Sequence, residues 1–211
     1  MGKFIVLEGI EGVGKTTNMD FIARYLKRLA IDYIRTREPG GTPLAEKMRD
    51  IVLHAGDEER LNSDAELLLM FAARAQHLAQ VINPALQAGK WVVCDRFSDA
   101  SYAYQGGGRH IENTRIALLE NWVQGMLRPD AVIILDLPVE LAFARTKTRK
   151  NQDRIEQESA DFFNRVRTVY LARAKENPIR YHVVNAEQPL QAVHNEIKTI
   201  LDALMVTRHA T

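Results

Sequence analysis

The sequence predicts an α/β fold built on a central five-stranded parallel sheet. Three observations carry this expectation. Short apolar runs alternate with longer stretches of helical spacing. The run Val132-Ile133-Ile134-Leu135 is apolar at every position, as in a strand covered on both faces. The segment Gly9-Ile10-Glu11-Gly12-Val13-Gly14-Lys15-Thr16 stands between an apolar run and a helical stretch. Alternating β and α elements make a parallel sheet flanked by helices through right-handed crossovers. Ligands of such sheets bind beyond the carboxyl ends of the strands.

The first strand is Phe4-Ile5-Val6-Leu7, and the helix after the loop is marked by Phe21-Ile22, Tyr25-Leu26 and Leu29. The loop between them fits the phosphate-binding pattern GxxxxGK[ST], in the strand–loop–helix context that the pattern requires. Gly9, Gly12 and Gly14 let successive N–H groups converge on one anion, and the helix start adds dipole density there. Lys15 is expected at the β/γ-phosphates and Thr16 at Mg²⁺. The fold is therefore a P-loop NTPase fold whose ligand is a nucleoside triphosphate.

Tyr33 to Thr36 reads as the second strand, and a charged turn, Thr36-Arg37-Glu38-Pro39-Gly40-Gly41-Thr42, follows it. Helical patterns cover 43–54 and 64–88. The third strand, Trp91 to Cys94, ends in Asp95-Arg96. A carboxylate there can accept from Thr16 or hold a Mg²⁺-bound water, and the neighbouring guanidinium offers a fork to a second phosphate. Tyr104-Gln105-Gly106-Gly107-Gly108-Arg109 reads as a loop whose glycines permit close approach to a ligand. Helical patterns at 111–126, 138–149, 160–176 and 189–205 surround strands at Ala131 to Leu137 and Tyr181 to Val184. The stretch Arg145 to Arg154 carries five basic residues and one acidic, in a chain whose P-loop has no Arg at its variable positions. A basic lid over about 145–157 would supply the missing charge on a transferring phosphoryl group. The whole chain, 1–211, is expected to be one domain with this small mobile lid.

Composition narrows the partners. A net charge of +1 gives no global field for nucleic acid. No apolar run approaches the ~20 residues of a membrane span. Cys94, the only cysteine, lies in an apolar run and reads as a core residue, and with no disulfide possible within the chain a cytoplasmic location is expected. The six histidines show no metal-ligand spacing.

FIVLEGIEGVGKTT, TREPGGT, the FAAR helix, the DRF turn, SYAYQGGGR, VIILDLP and DRIEQES together resemble the bacterial thymidylate kinase family, P-loop nucleoside monophosphate kinases that phosphorylate dTMP with ATP. The resemblance covers nearly the whole chain. It implies an ATP site from Gly9 through Ile10, Glu11, Gly12, Val13, Gly14, Lys15, Thr16 and Thr17, with adenine between Arg145 and the backbone near Asn185-Ala186. It implies Mg²⁺ held by Thr16, Asp95 and Glu156. Glu11 would face the 3′-hydroxyl of dTMP, and Arg37, Arg49 and Arg96 would surround its phosphate with Glu38 among them. Pro39 would follow a cis peptide bond. Phe71 would stack on thymine, in a helix where Met70 occupies the place four residues before Arg74. Arg74 would bond the carbonyl edge of the base, Ser101 and Gln105 would address its other side, and Tyr104 would crowd the 2′ position. Lys15, Arg96, Arg149 and Arg154 would stabilise the transition state. The family also implies a homodimer, packed through long helices such as 64–88.

Three other readings share part of this pattern. Another nucleoside monophosphate kinase would share the P-loop and differ at the base site. A switch GTPase would need an Asn-Lys-x-Asp signature, and Asn185-Ala186-Glu187 does not supply one. A non-catalytic nucleotide-binding protein would bind ATP without turnover.

Overall fold

The computed structural model describes residues 2–55, 59–146 and 153–206. Its strands are β1 (Phe4–Glu8), β2 (Tyr33–Arg37), β3 (Trp91–Asp95), β4 (Ala131–Asp136) and β5 (Tyr181–Asn185). They form one parallel sheet in the order β2-β3-β1-β4-β5. Val6 lies beside Cys94 on one side and Val132 on the other, so the carboxyl ends of β1 and β3 emerge together, with Leu7 level with Asp95. This register is what brings the phosphate-binding loop next to the Asp95-Arg96 turn.

The helices that start at Pro43, Ser63 and Ala160 each have a side chain capping the first turn. Helix α1 (Lys15–Arg28) buries Met19, Ile22 and Leu26, one stripe at helical spacing, and places Lys27 and Arg28 at its C-terminal end. Helix α2 (Pro43–His54) has proline in its first turn and Thr42 as N-cap, accepting from the Ala45 N–H at 3.1 Å. Helix α3 (Ser63–His77) is capped by Asn62. The expected single helix over 64–88 is interrupted: a π-helical turn, Leu78–Ile82, joins α3 to the short α4 (Asn83–Gln87). Pro84 lacks an N–H and its ring crowds the preceding turn, which accounts for the widening there.

The segment expected as a glycine-bearing loop is instead helical. After α5 (Ser98–Ala100) the chain continues in π-helical geometry over Ser101–Gly108. Its glycines admit another helix rather than a ligand. A Cβ on Gly108 would lie 2.3 Å from the Phe162 ring, on α8 (Ala160–Glu176). Arg165 of α8 then donates to the carbonyls of Gly107 and Gly108, both at 3.1 Å. Helix α6 (Asn113–Gln124) packs beside α3, α7 (Val139–Thr146) follows β4, and α9 (Leu190–Val206) lies against α1. The rest of the expected helix over 138–149 falls outside the described residues. No described helix is long and apolar enough to cross a membrane.

Strand β1 is buried along its whole length, including one acid, Glu8. Its Oε1 accepts from the Phe97 N–H at 2.8 Å and its Oε2 from the Tyr170 hydroxyl at 2.7 Å. Burial, reinforced by the nearby Asp99 carboxylate, pushes the Glu8 carboxyl up to about 8. Between its ordinary value of 4.5 and about 8, the folded protein holds a proton that the unfolded chain releases. The stability this supplies is complete at low pH and is lost as pH rises through about 8. Urea denaturation at pH 5.5 and pH 9 is therefore expected to show a loss for the native protein, on the order of a few kcal/mol, that Glu8→Gln lacks. Parallel pH profiles for the two proteins would contradict this assignment.

Candidate active site

The loop after β1 is built to receive an anion. Gly14 caps α1 in a left-handed conformation with no side-chain cap bond, leaving the first N–H groups of the helix free of a capping side chain. Gly12 has φ 81°, and a Cβ there would sit 2.4 Å from the carbonyl oxygen of Ala142 on α7. Lys15 folds back over the loop, its Nζ donating to the carbonyls of Gly9 and Ile10 at 3.1 Å each. Burial, and next the charge of Arg96, lower its pKa to about 8. A bound triphosphate would give that ammonium a better partner than two carbonyls.

Arg96 joins this loop to the neighbouring strand. Its backbone is left-handed at φ 68°, an uncommon state for a side-chain-bearing residue. The conformation is fixed from both sides: the Arg96 N–H donates to Leu7 O at 2.9 Å, and the next N–H, of Phe97, goes to Glu8. The guanidinium donates to Gly9 O at 2.9 Å, to the Tyr170 hydroxyl at 3.2 Å and to Glu11 Oε1 at 2.6 Å. Glu11 Oε2 accepts from the Tyr104 hydroxyl at 2.7 Å. Burial works against the Glu11 carboxylate, but Arg96 and Lys15 outweigh it and hold its pKa below the ordinary value.

A cavity beside this cluster gathers Glu11, Arg96, Tyr104, Gln105, Glu38, Pro39 and Arg49, all expected at the site, together with Met70. The Glu38–Pro39 peptide is cis, and Arg49 Nη1 donates to Pro39 O at 2.9 Å. Arg37 lines the adjacent groove with Thr16 and Asp95, its guanidinium meets Glu46 at 2.8 Å, and its charge acts on the neighbouring Arg49. Asp95 Oδ1 is buried without a hydrogen-bond partner among the described residues. A hydroxyl and an unpartnered carboxylate oxygen at one groove suit a hard cation such as Mg²⁺. Gly12, Gly14, Thr17, Arg145 and Ala186 line a third cleft, where Arg145 Nη2 approaches Ala186 O at 3.4 Å.

Behind the first cavity, α3 supplies a buried polar chain. Arg74 Nε donates to Glu38 Oε2 at 2.6 Å, and its terminal nitrogens reach Ser101 Oγ at 3.2 Å and Phe97 O at 3.0 Å. His77, one turn on, meets the other Glu38 oxygen at 3.0 Å and Thr36 Oγ1 at 2.6 Å. Phe71 departs from its expected place. Its ring lies under the Arg74 guanidinium, 4.5 Å from centroid to Cζ, and packs with Leu67, Tyr102 and Ile116 away from the cavity wall. Residues 67 and 71 share the face of α3 that turns toward α6, so the residue that lines the cavity is Met70.

Of the two expected lid arginines, Arg149 lies outside the described residues. Arg154 donates to Glu66 and to Val52 O, and its guanidinium is held there rather than at the phosphate-binding loop. The reason is electrostatic: Glu66 is fully buried and takes its compensating charge from Arg154 and Arg109. Glu156 does not line the groove of Thr16 and Asp95, and its N–H is bonded by Asp153. Among the described residues no three His, Cys, Asp or Glu side chains gather as a metal site. Glu8, Glu66, His77 and Tyr170 were not singled out from the sequence. A signal existed for the two acids, since Glu8 ends an apolar strand and Glu66 interrupts an apolar helix face.

Comparisons with known proteins converge on one family. A sequence model described as thymidylate kinase matches residues 7–197. The chain is 53% identical over 207 residues to a thymidylate kinase of Pseudomonas savastanoi pv. phaseolicola, covering 98% of both. It is 55% identical over 204 residues to that of Pseudomonas entomophila, covering 97% of both. The crystal structure of the Ehrlichia chaffeensis thymidylate kinase is similar in fold, with a TM-score of 0.76 and 35% identity over 95% of this chain and 98% of that one. The chain belongs to the thymidylate kinase family.

Proposed function

We propose that this protein transfers the γ-phosphoryl group of ATP to dTMP, giving dTDP and ADP. The observation that carries the reading is Arg96, whose one guanidinium touches both the phosphate-binding loop at Gly9 and the acid Glu11 at the edge of the cavity lined by Met70, Tyr104 and Gln105. ATP would lie along the loop, with adenine in the cleft of Arg145 and Ala186 and its phosphates at Lys15, Thr16 and Thr17. dTMP would fill the cavity of Met70, Tyr104 and Gln105, its phosphate toward Arg96 and Arg49 and its 3′-hydroxyl toward Glu11.

A phosphate oxygen of dTMP is already anionic, so the attack needs alignment and charge stabilisation rather than a strong base. Lys15 leaves its two carbonyls for the transferring phosphates, and Arg96 holds the acceptor in line. Mg²⁺ at Thr16 and Asp95 would neutralise charge on the triphosphate. Tyr104, fixed by Glu11, would leave little room for a 2′-hydroxyl. A lid over about 145–157, with Arg149 and with Arg154 released from Glu66 on closure, would complete the charge and exclude water.

Apolar side chains on one edge suggest self-association. Leu118, Trp122 and Met126 repeat every four residues along α6 and beyond it, with exposures of 72%, 83% and 96%. Leu68 of the neighbouring α3 is also exposed. A homodimer packed on these helices would cover the stripe, in a single-domain protein of the cytoplasm.

A coupled ADP-release assay over dTMP, dUMP, dCMP, dGMP, UMP and CMP tests the reading. Turnover is expected to be highest with dTMP, and dUMP about 10–200-fold poorer in kcat/KM, the discrimination available from one methyl group. Equal kcat/KM for dUMP would sink the thymine assignment, and preference for a cytosine or guanine nucleotide would favour another monophosphate kinase. In the same assay an Arg149→Ala, Arg154→Ala double variant is expected to lose kcat by about 10³–10⁵; near-normal kcat would remove the lid from the mechanism. Sedimentation should report a dimer for the native chain and a monomer for Trp122→Glu, and an unchanged species would place any interface elsewhere.

A further inference from the structure

We infer that His77 is a positioning residue for recognition of the acceptor's 5′-phosphate: it fixes the carboxylate of Glu38 and, through the Glu38-Pro39 turn, the guanidinium of Arg49. The inference rests on the reading of the cavity beside Arg49 and Arg96 as the acceptor site.

His77 is not among the residues that line that cavity. It is fully buried, one turn beyond Arg74 on α3, and the chain after β2 folds around its ring. Three residues within 36–42 meet the imidazole. Nδ1 lies 3.0 Å from Glu38 Oε1, Nε2 lies 2.6 Å from Thr36 Oγ1, and a Cβ on Gly41 would sit 2.5 Å from Nε2. The two ring nitrogens do different work. Glu38 is buried, and its Oε2 accepts from Arg74 Nε at 2.6 Å. Paired with that guanidinium, the carboxylate accepts on both oxygens, so Nδ1 must carry the hydrogen. Thr36 offers Nε2 a hydroxyl, which can give or take a hydrogen and so sets no direction. The contact that orients Glu38 is therefore the one at Nδ1. Without it a carboxylate oxygen would be buried unpaired, and the side chain would turn to find a partner.

Glu38 in turn fixes what faces the phosphate. Its N–H donates to Asp95 O at 2.9 Å, which ties the turn to the end of β3. The carbonyl of the next residue, Pro39, accepts from Arg49 Nη1 at 2.9 Å. A guanidinium is a rigid planar fork, so a bond to Pro39 O limits where its other N–H groups point. Glu38, Pro39 and Arg49 line the cavity together with Arg96. The path from His77 to the acceptor thus runs through one carboxylate and one carbonyl, and it ends on a cation that serves the phosphate rather than the base.

The test separates the two ring nitrogens and the two halves of the acceptor. Asparagine places its amide nitrogen near the position of Nδ1 and can donate to Glu38, whereas glutamine reaches the position of Nε2 and keeps only Thr36. Titration calorimetry with thymidine and with dTMP gives two dissociation constants, and their ratio measures what the phosphate adds. In His77→Gln this ratio is expected to fall by about tenfold or more, the scale of one lost hydrogen bond to a charged group. The fall should come from weaker dTMP, with thymidine and a non-hydrolysable ATP analogue bound within about threefold of native. In His77→Asn the ratio should stay within about threefold of the native value. A purely structural role would weaken thymidine and dTMP alike and would not distinguish the two variants. An unchanged ratio in His77→Gln, or equal losses in both variants, overturns the inference, whereas no turnover of dTMP by the native protein would instead overturn the functional reading. Should either variant lose its cooperative melting transition, the native protein decides through the proton–nitrogen correlation spectrum of its imidazoles. A shift of the His77 ring signals with dTMP that thymidine does not produce supports the inference, and equal responses or none remove it.

Discussion

The arrangement depends on one guanidinium. Arg96 sits where the carboxyl ends of β1 and β3 meet, and it donates at once to Gly9 of the phosphate-binding loop and to Glu11 at the acceptor cavity. A lysine could not make these contacts together, because a single ammonium lacks the planar fork. The contacts hold only because the backbone at Arg96 is forced into a left-handed state, and the sheet itself imposes that state. Leu7 O takes one N–H and the buried Glu8 takes the next. The strain at position 96 is thus maintained by β1, the most buried strand, as expected where surrounding structure over-determines a backbone outlier.

A second layer of buried polar contacts carries this rigidity outward. Glu38 receives Arg74 on one oxygen and His77 on the other, so two residues one turn apart on α3 lock the turn after β2. Glu66 receives Gln105, Arg109 and Arg154, joining α3 to the π-helical segment and to the chain beyond Asp153. Removing one member of such a set leaves a buried charge exposed to apolar surroundings, which is more costly than the interaction is worth in isolation. These networks spend little on global stability and much on geometry.

The sequence was most legible where backbone pattern and chemistry coincide. Glycines at 9, 12 and 14 before Lys15-Thr16, the all-apolar β4, and an Asp-Arg pair ending an apolar strand each imply their position without reference to the rest of the fold. What escaped was set by packing between distant elements. Gly107 and Gly108 looked like loop glycines because nothing local reveals Phe162 and Arg165 of α8 lying against them. The orientation of α3 likewise decided that Met70 faces the cavity and Phe71 faces α6. Glu66 and His77 gained their roles from residues 39 to 88 positions away, beyond the reach of any spacing rule.

Arg96 couples the phosphate-binding loop to the acceptor cavity, and calorimetric titration of Arg96→Lys tests that coupling. Binding of a non-hydrolysable ATP analogue and of dTMP would each be measured, one in the absence of the other. If the guanidinium organises both sites, both affinities fall, by about 10-fold or more for each, while the fold still melts cooperatively. Weakening of dTMP alone, with the ATP analogue bound as in the native protein, would contradict the account.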